Sequence, residues 1–506
     1  MSEASANWAL PGDASSRQAL LDVAGARAID RAAITAGTPE IDLMERAGAA
    51  VAASIVARWD PRPTRVLTGP GNNGGDGFVV ARLLREAGWP VEIAGACDRD
   101  RLGGAARITA DRWHGAIGAL EPESLGDASL VVDALFGTGL ARPLEGTLGA
   151  TVAALNGRGL PVIAVDIPSG IDSDTGAILG EAVRADVTVT FFRRKPGHLL
   201  LPGRDLSGEI EVAELDVPDH VYASIPASIF ANAPELWLDA FPWPNARSHK
   251  YTRGHVVVLG GTVLTGAARL AAHAAQRIGA GLVTIAADPA VTGLYAAWRA
   301  DLMVTPIATP ADFRSLLADR RRNAVLLGPG SGADSRLQAA IEAALDSGAG
   351  LVLDADCFAV LADQGNGLLA KLNGRVLMTP HEGEFRRVFG EPQPRLTAAI
   401  KAARQTGAGI VLKGSDTIIA GPDGRAAINT GAPPDLATGG SGDVLAGLAV
   451  GLMANRLPPV LAGLIACWVH GRAAKLFGPG LIAGDLPDLV PRVLAELRDR
   501  AGAGCG

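Results

Sequence analysis

Two kinds of apolar pattern alternate along this chain: short, nearly unbroken runs, and longer segments whose apolar residues recur at three- and four-residue steps. The second kind is clearest at 41–55, where Ile41, Met44, Gly48, Val51 and Ile55 share one face of a predicted helix. After it the unbroken runs predict strands at 65–68, 91–96, 130–135, 162–167 and 187–192, separated by Ala-rich helical segments that include 78–87 and 149–156. Strands that are apolar throughout belong in a parallel sheet covered by helices on both faces. The rhythm breaks over 217–245, where Pro218, Pro226, Pro234, Pro242 and Pro244 interrupt any period. A domain junction is predicted there, dividing 1–225 from 226–506. Alternation resumes with strands at 255–259, 282–286, 324–327, 351–353, 376–378 and 410–412. A hairpin of 417–420 and 426–429 follows, about the turn Gly421-Pro422-Asp423-Gly424. The predicted fold class is α/β, with two doubly wound domains.

Composition narrows the function. A chain of 506 residues with 64 glycines and only 4% aromatics suits helices packed closely on buried sheets, and disorder is not expected. The formal charge of -7 is spread without long runs of one sign, so no nucleic-acid track is predicted. Cys97, Cys357, Cys467 and Cys505 lack metal-ligand spacing and predict no disulfide framework, which fits a reducing cytoplasm. The first 20 residues show no basic segment leading into an apolar one, so no secretory signal is read. The apolar stretch 460–469 is about half the length of a membrane span and is read as a buried helix, with no membrane partner.

The most specific chemistry lies in Ala437-Thr438-Gly439-Gly440-Ser441-Gly442-Asp443, which precedes the apolar stretch 444–451. It predicts a glycine-rich turn opening a helix. The bare amides of such a turn attract phosphate, and only residues without side chains let phosphate come close. Asp443 beside that anion is placed to take a proton from an attacking hydroxyl, which is the chemistry of phosphoryl transfer to an alcohol.

A second glycine-rich run, Gly69-Pro70-Gly71-Asn72-Asn73-Gly74-Gly75-Asp76-Gly77, sits between a predicted strand and a predicted helix. In an open sheet, residues just after successive strands meet in one crevice. Three strand ends here carry unusual chemistry: Asn72, Asn73 and Asp76; Asp133 with Gly137-Thr138-Gly139; and Asp166-Ile167-Pro168-Ser169-Gly170. Amide, hydroxyl and carboxylate oxygens with so little formal charge suit a hard monovalent cation. Each piece alone is ordinary turn chemistry. Lys195, in Phe191-Phe192-Arg193-Arg194-Lys195-Pro196-Gly197, reads equally as a solvated surface lysine or as a member of the site.

Together, Gly69 to Gly77, Asp133 to Leu140, Asp166 to Asp172 and Thr190 to Gly197 resemble the NAD(P)H-hydrate epimerase domain, whose fold is a Rossmann-like three-layer sandwich. That resemblance implies potassium at Asn73, Asp133 and Ser169. It also implies a substrate site made by Asn72, Asn73, Gly74, Gly75, Asp76, Gly137, Thr138, Gly139, Leu140, Ala141, Arg142 and Asp166. Epimerisation at a carbinolamine carbon requires an acid and a base, for which Asp166 is the candidate and Lys195 its partner.

The second half resembles the ADP-dependent NAD(P)H-hydrate dehydratase of the ribokinase-like fold. The likeness is carried in order by Lys250 to His255, Gly260-Gly261, Gly266-Ala267-Ala268, Gly279 to Leu282, Leu327-Gly328-Pro329-Gly330, Asp354-Ala355-Asp356, Thr379-Pro380-His381, Lys413-Gly414-Ser415-Asp416-Thr417 and the run at 439–443. It implies that Lys413, Gly414, Ser415, Asp416, Thr417 and Gly442 contact ADP. Ala267, Gly330, His381 and Asp443 would meet the hydrated substrate, with Asp443 as the base and Mg2+ accompanying the nucleotide. Glu382 stands where the family has proline, and the loop between Gly261 and Gly266 is about one residue short. Asp354 and Asp356 are read as caps at a strand end in preference to magnesium contacts. His381 is read as a loop residue at a cleft, a packed core histidine being the alternative.

The expected function is therefore bifunctional repair of NADHX and NADPHX, epimerising the two hydrates and dehydrating the S form with ADP, by a cytoplasmic homo-oligomer. Two alternatives stay open. One is a ribokinase-like kinase for a vitamin or sugar alcohol, and the other makes the N-terminal half a non-catalytic nucleotide-binding module.

Overall fold

The computed structural model describes residues 12–363 and 366–503; Cys505 lies outside them. Contacts divide the chain into two compact units, with the division between Phe230 and Ala231.

In the N-terminal unit a short strand, β1 (Ala19–Leu20), precedes the main sheet. The sheet comprises β2 (Thr64–Thr68), β3 (Val91–Gly95), β4 (Ile117–Ala119), β5 (Leu130–Ala134), β6 (Val162–Val165), β7 (Val187–Phe191) and β8 (Glu209–Ala213), followed by β9 (Ile229–Ala231), which returns antiparallel to β1. All seven strands of the sheet run parallel in the order β4-β3-β2-β5-β6-β7-β8. The order reverses between β2 and β5, so the loops leaving these strands diverge and open a crevice. Every residue of β5, β6 and β7 is buried, as their unbroken apolar runs require.

One element begins earlier than its pattern indicates. The helix after β2 is Asn72–Glu86, so the Asn-Asn-Gly-Gly-Asp-Gly stretch forms its opening turns and only Gly69 to Gly71 make the loop. Its glycines serve close packing: a Cβ on Gly74 would lie 2.0 Å from the Gly69 carbonyl oxygen, and one on Gly77 would lie 2.6 Å from Ala134 Cβ. The helix start is thereby pressed against the strand ends.

The C-terminal unit contains β10 (His255–Leu259), β11 (Leu282–Ala287), β12 (Met303–Pro306), β13 (Arg322–Leu327), β14 (Gly350–Leu353), β15 (Val376–Met378), β16 (Gly409–Leu412), β17 (Thr417–Ala420) and β18 (Ala426–Asn429). Their order is β18-β17-β16-β15-β14-β13-β10-β11-β12, parallel from β16 to β12, with the predicted hairpin β17-β18 added antiparallel at β16. Helix Ser441–Ala454 is buried from Val444 onward and lies against Thr265–Ile278. Its closeness depends on glycine: a Cβ at Gly447 would lie 2.2 Å from the Ala271 carbonyl oxygen. Helix Pro459–Phe477 is long and apolar enough to cross a membrane, but 72% of that stretch is buried inside the protein, matching the buried helix read at 460–469.

Candidate active sites

The carboxyl ends of β2, β5, β6 and β7 converge on a cleft of about 470 Å³. Of the residues singled out from the sequence, Asn72, Asn73, Asp76, Gly137, Thr138, Gly139, Leu140, Asp166 and Lys195 line it. Gly74 and Gly75 lie behind it as packing residues, while Ala141 and Arg142 are exposed outside its lining. Lys195 is no surface lysine: it is 2% exposed and its Nζ donates to Asp166 Oδ1 at 2.5 Å and to Thr190 Oγ1 at 2.8 Å. Asp166 also accepts from Thr190 Oγ1 at 3.1 Å, from the Thr138 amide at 3.2 Å and from the Thr138 hydroxyl. Burial alone would raise the Asp166 carboxyl, but the Lys195 ammonium and these donors hold it well below the usual carboxylate range.

Two other carboxyls in the cleft behave oppositely. Burial, then the Asp166 charge, pushes Asp76 well above its ordinary value. Asp30 opens to solvent at the mouth of the cleft, yet desolvation there and the same Asp166 charge push it up to about 6. Of the carboxyls that line the cleft, Asp166 is thus firmly ionised, while Asp76 and Asp30 retain protons more readily. Asp30 was not picked out in the sequence, because nothing in its own helix, Val23–Thr35, marks it as facing three strand ends.

Asp133 is fully buried beneath the cleft, and its two oxygens accept from the Ser169 hydroxyl at 2.6 Å and the Ser169 amide at 2.7 Å. Burial pushes it up to about 6 despite those bonds. Asn73 Oδ1 lies 3.0 Å from where a Gly137 Cβ would stand, and its Nδ2 is buried without a partner. Asp133 and the Ser169 hydroxyl give oxygens of the kind a monovalent cation takes, as does Asn73 Oδ1, whereas the unpartnered Asn73 Nδ2 is a hydrogen-bond donor and contributes nothing to such a site. Among the described residues no group of three or more His, Cys, Asp or Glu is gathered for a metal ion.

In the C-terminal unit the ends of β14, β15 and β16 and the start of helix Ser441–Ala454 build a second site. Lys413, at the end of β16, donates to Asp354 Oδ1 at 2.8 Å, and Thr379 Oγ1 reaches the same oxygen at 2.8 Å. Asp354 is therefore a partner of the site's lysine, which corrects its reading as a strand-end cap. Asp356 accepts from the Gly332 amide at 2.8 Å, tying its loop to the Gly328–Gly330 turn. Lys413 Nζ lies 3.8 Å from Glu384 and 3.4 Å from the position of a Gly442 Cβ. Asp354 and Glu384 raise the lysine, outweighing the opposing effect of burial.

Gly440 has φ +92 and precedes the helix, so the chain turns sharply enough to present the first-turn amides, which have no carbonyl within the helix to bond. Asp443 lies in that turn. Burial and the neighbouring Asp354 push its carboxyl up to about 6, with Lys413 opposing. Thr417 Oγ1 closes the Lys413-to-Thr417 turn, accepting from the Gly414 amide at 3.1 Å and donating to the Gly414 carbonyl at 2.7 Å. Asp416, only 3% exposed, lies 3.2 Å from Arg395, and Ser415 completes the turn. Gly330 is left-handed at φ +63 beside Leu264, just before the helix that carries Ala267.

His381 is exposed and not a core histidine; it caps helix Glu382–Phe389, accepting at Nδ1 from Gly383 at 2.9 Å and Glu384 at 3.2 Å. Glu382 pairs with Arg395, which also donates to the Lys413 carbonyl at 3.3 Å. The residue standing in place of proline thus ties the His381 cap to the Lys413 turn.

Comparison with known proteins gives concordant results. A family model described as YjeF-related protein N-terminus matches residues 40–197, and one described as NAD(P)H-hydrate dehydratase matches residues 256–493. The chain is 36% identical to a bifunctional NAD(P)H-hydrate repair enzyme of Salinibacter ruber, covering 91% of this chain and 93% of that one. It is 35% identical to one of Coxiella burnetii, covering 91% and 96% respectively. Its C-terminal half is similar to a solved ADP/ATP-dependent NAD(P)H-hydrate dehydratase of Bacillus subtilis co-crystallised with ATP and Mg2+, at 30% identity and a TM-score of 0.45, covering 53% of this chain and 98% of that one.

Proposed function

We propose a two-site mechanism from one premise: the chain belongs to the family of bifunctional NAD(P)H-hydrate repair enzymes. It epimerises the R and S hydrates of NADH and NADPH and dehydrates the S epimer at the expense of a nucleotide phosphoryl group. The observation that carries this reading is the pair of separate carboxylate and lysine centres, Asp166 with Lys195 and Asp443 with Lys413.

We assign 1–225 to epimerisation and 226–506 to dehydration. In a hydrated nicotinamide the C6 hydroxyl sits beside the ring nitrogen, so the carbon loses its configuration when the C6–N bond opens. Asp166 takes the hydroxyl proton as that bond opens and its electron pair passes to the ring nitrogen, which takes a proton from Lys195; both transfers reverse when the ring closes on the other face. Asn72, Asn73, Asp76 and the 137–140 loop enclose the substrate. Asn73, Asp133 and Ser169 would hold K+, which when bound supplies a fixed positive charge beside the cleft.

In the C-terminal unit hydroxide is too poor a leaving group to depart unaided. Asp443 removes the C6 hydroxyl proton while the 439–442 amides stabilise the phosphoryl group moving onto the oxygen. The ring nitrogen then expels phosphate from C6, leaving a C6=N iminium, and loss of a proton from C5 restores the C5–C6 double bond of the reduced coenzyme. Lys413 to Thr417 with Gly442 contact the nucleotide, while Ala267, Gly330 and His381 bound the substrate side. We assign ADP as the donor, giving AMP and phosphate. Mg2+ would accompany the nucleotide and, when bound, supply positive charge against the transferred phosphoryl group. A homo-oligomer in the cytoplasm completes the proposal.

The test is incubation with both hydrate epimers, Mg2+ and ADP. Return of reduced-nicotinamide absorbance with one AMP and one phosphate per turnover is expected. A stable phosphorylated product without free phosphate would favour a kinase instead.

A further inference from the structure

Resting on the epimerase assignment above, we infer that His198 is a positioning residue that fixes the relative placement of Asp166 and Lys195 by bonding the backbones of both. Asp166 stands at φ +67, and the Ile167 amide donates to the Val165 carbonyl at 2.9 Å, closing a three-residue turn of the rare left-handed form. Phe192, at the end of the next strand, repeats the device: its φ is +62 and the Arg193 amide donates to the Phe191 carbonyl at 2.7 Å. Both central residues line the cleft. Such backbone is disfavoured for residues with side chains and persists only where surrounding contacts hold it.

His198 supplies one of those contacts at Asp166. The Lys195 amide donates to His198 Nδ1 at 3.0 Å, so Nδ1 carries the lone pair and Nε2 carries the hydrogen. Nε2 stands 3.0 Å from the Asp166 carbonyl oxygen and donates to it. The Asp166 amide is held from the other side by the Val189 carbonyl at 2.8 Å. One ring therefore links the main chains of the two residues whose side chains meet at 2.5 Å.

The ring is fully buried and absent from the cleft lining, so it acts only through its neighbours. Burial, then the Lys195 charge, pushes its pKa down to about 3, which keeps it neutral and preserves the acceptor that the Lys195 amide needs. Pro196 fixes the short turn Pro196–His198 that brings the ring back over Lys195.

The full-length protein with His198→Leu tests this, with dehydration of the S hydrate by the same polypeptide as an internal control. We expect epimerase kcat to fall about a hundredfold, as for small misplacements of reacting groups, with KM changed less than about threefold. His198→Gln retains one acceptor and one donor and should restore kcat to within about tenfold of the unaltered protein. An unchanged kcat in the Leu variant, or a Gln variant as slow as the Leu variant, overturns the inference. If the Leu variant loses the unfolding transition of its N-terminal unit, the Gln variant alone decides on the same threshold. Failure of the unaltered protein to interconvert the epimers would instead remove the epimerase assignment itself.

Discussion

Asp166 and Asp443 are the same residue type, one buried at a strand end and the other partly buried in the first turn of a helix, each near one lysine, and their protons are held in opposite senses. Asp166 is driven below the carboxylate range, whereas Asp443 is pushed up to about 6. The difference lies in how the lysine is shared. Lys195 donates directly to Asp166 at 2.5 Å, and Thr138 and Thr190 add further donors. Lys413 instead bonds Asp354 and faces Glu384, leaving Asp443 among acidic neighbours. At rest one carboxylate is held ionised by its own lysine and gains a proton only as that lysine gives one up, while the other is poised to exchange a proton near working pH.

The sharpest way to break this comparison is to neutralise each carboxylate in turn. Asp443→Asn should lower dehydration about a thousandfold, the usual worth of a general base, and leave epimerisation intact; Asp166→Asn should do the reverse. Separate assays of phosphate release and epimer interconversion check both. Loss of both activities from either change in folded protein would count against two independent sites.

Removing the lysines comes next. Lys195→Met strands a buried carboxylate, so epimerisation should fall about a hundredfold and the N-terminal unit should lose about 3 kcal/mol by denaturant unfolding. Lys413→Met takes away the group that opposes protonation of Asp443, so the acid limb of dehydration should move to higher pH.

The pH dependence sharpens the contrast without mutation. As the proposed base, Asp443 must be ionised to act, and its folded pKa is raised, so dehydratase kcat/KM should fall about tenfold per unit as pH drops below about 6. Asp166, with a depressed pKa, stays ionised over that interval, so epimerisation should lack this limb. The smallest expected effect is that of the monovalent cation. Exchanging K+ for a bulky organic cation should slow epimerisation and leave dehydration unchanged.

Most of the strands that escaped sequence reading share a physical position. Three of them, β4, β8 and β12, each form an edge of their sheet, and their residues are partly or fully exposed, so no continuous apolar run announces them; β1 and β9 were missed because each is only two or three residues long. The central strands, buried on both faces, were legible within a residue or two. The helix start at Asn72 was obscured because its glycines are selected for contact with Gly69 and Ala134, which overrides their weak helix propensity. At the sites, motif residues such as Asp443, Asp166 and Lys413 carry local signals. Asp30 and His198 matter through neighbours that are distant in sequence or bonded through the backbone, and no local pattern records that.

The central claim is that two carboxylate centres act independently and that the S hydrate passes freely between them. Mixing the Asp443→Asn and Asp166→Asn proteins with an equal mixture of both hydrate epimers, Mg2+ and ADP tests it most directly. Asp166→Asn alone should slow sharply once the S hydrate is consumed, Asp443→Asn alone should restore almost no absorbance, and the two together should drive repair to completion at a rate near that of the unaltered protein. A mixture that performs no better than Asp166→Asn by itself would contradict the account.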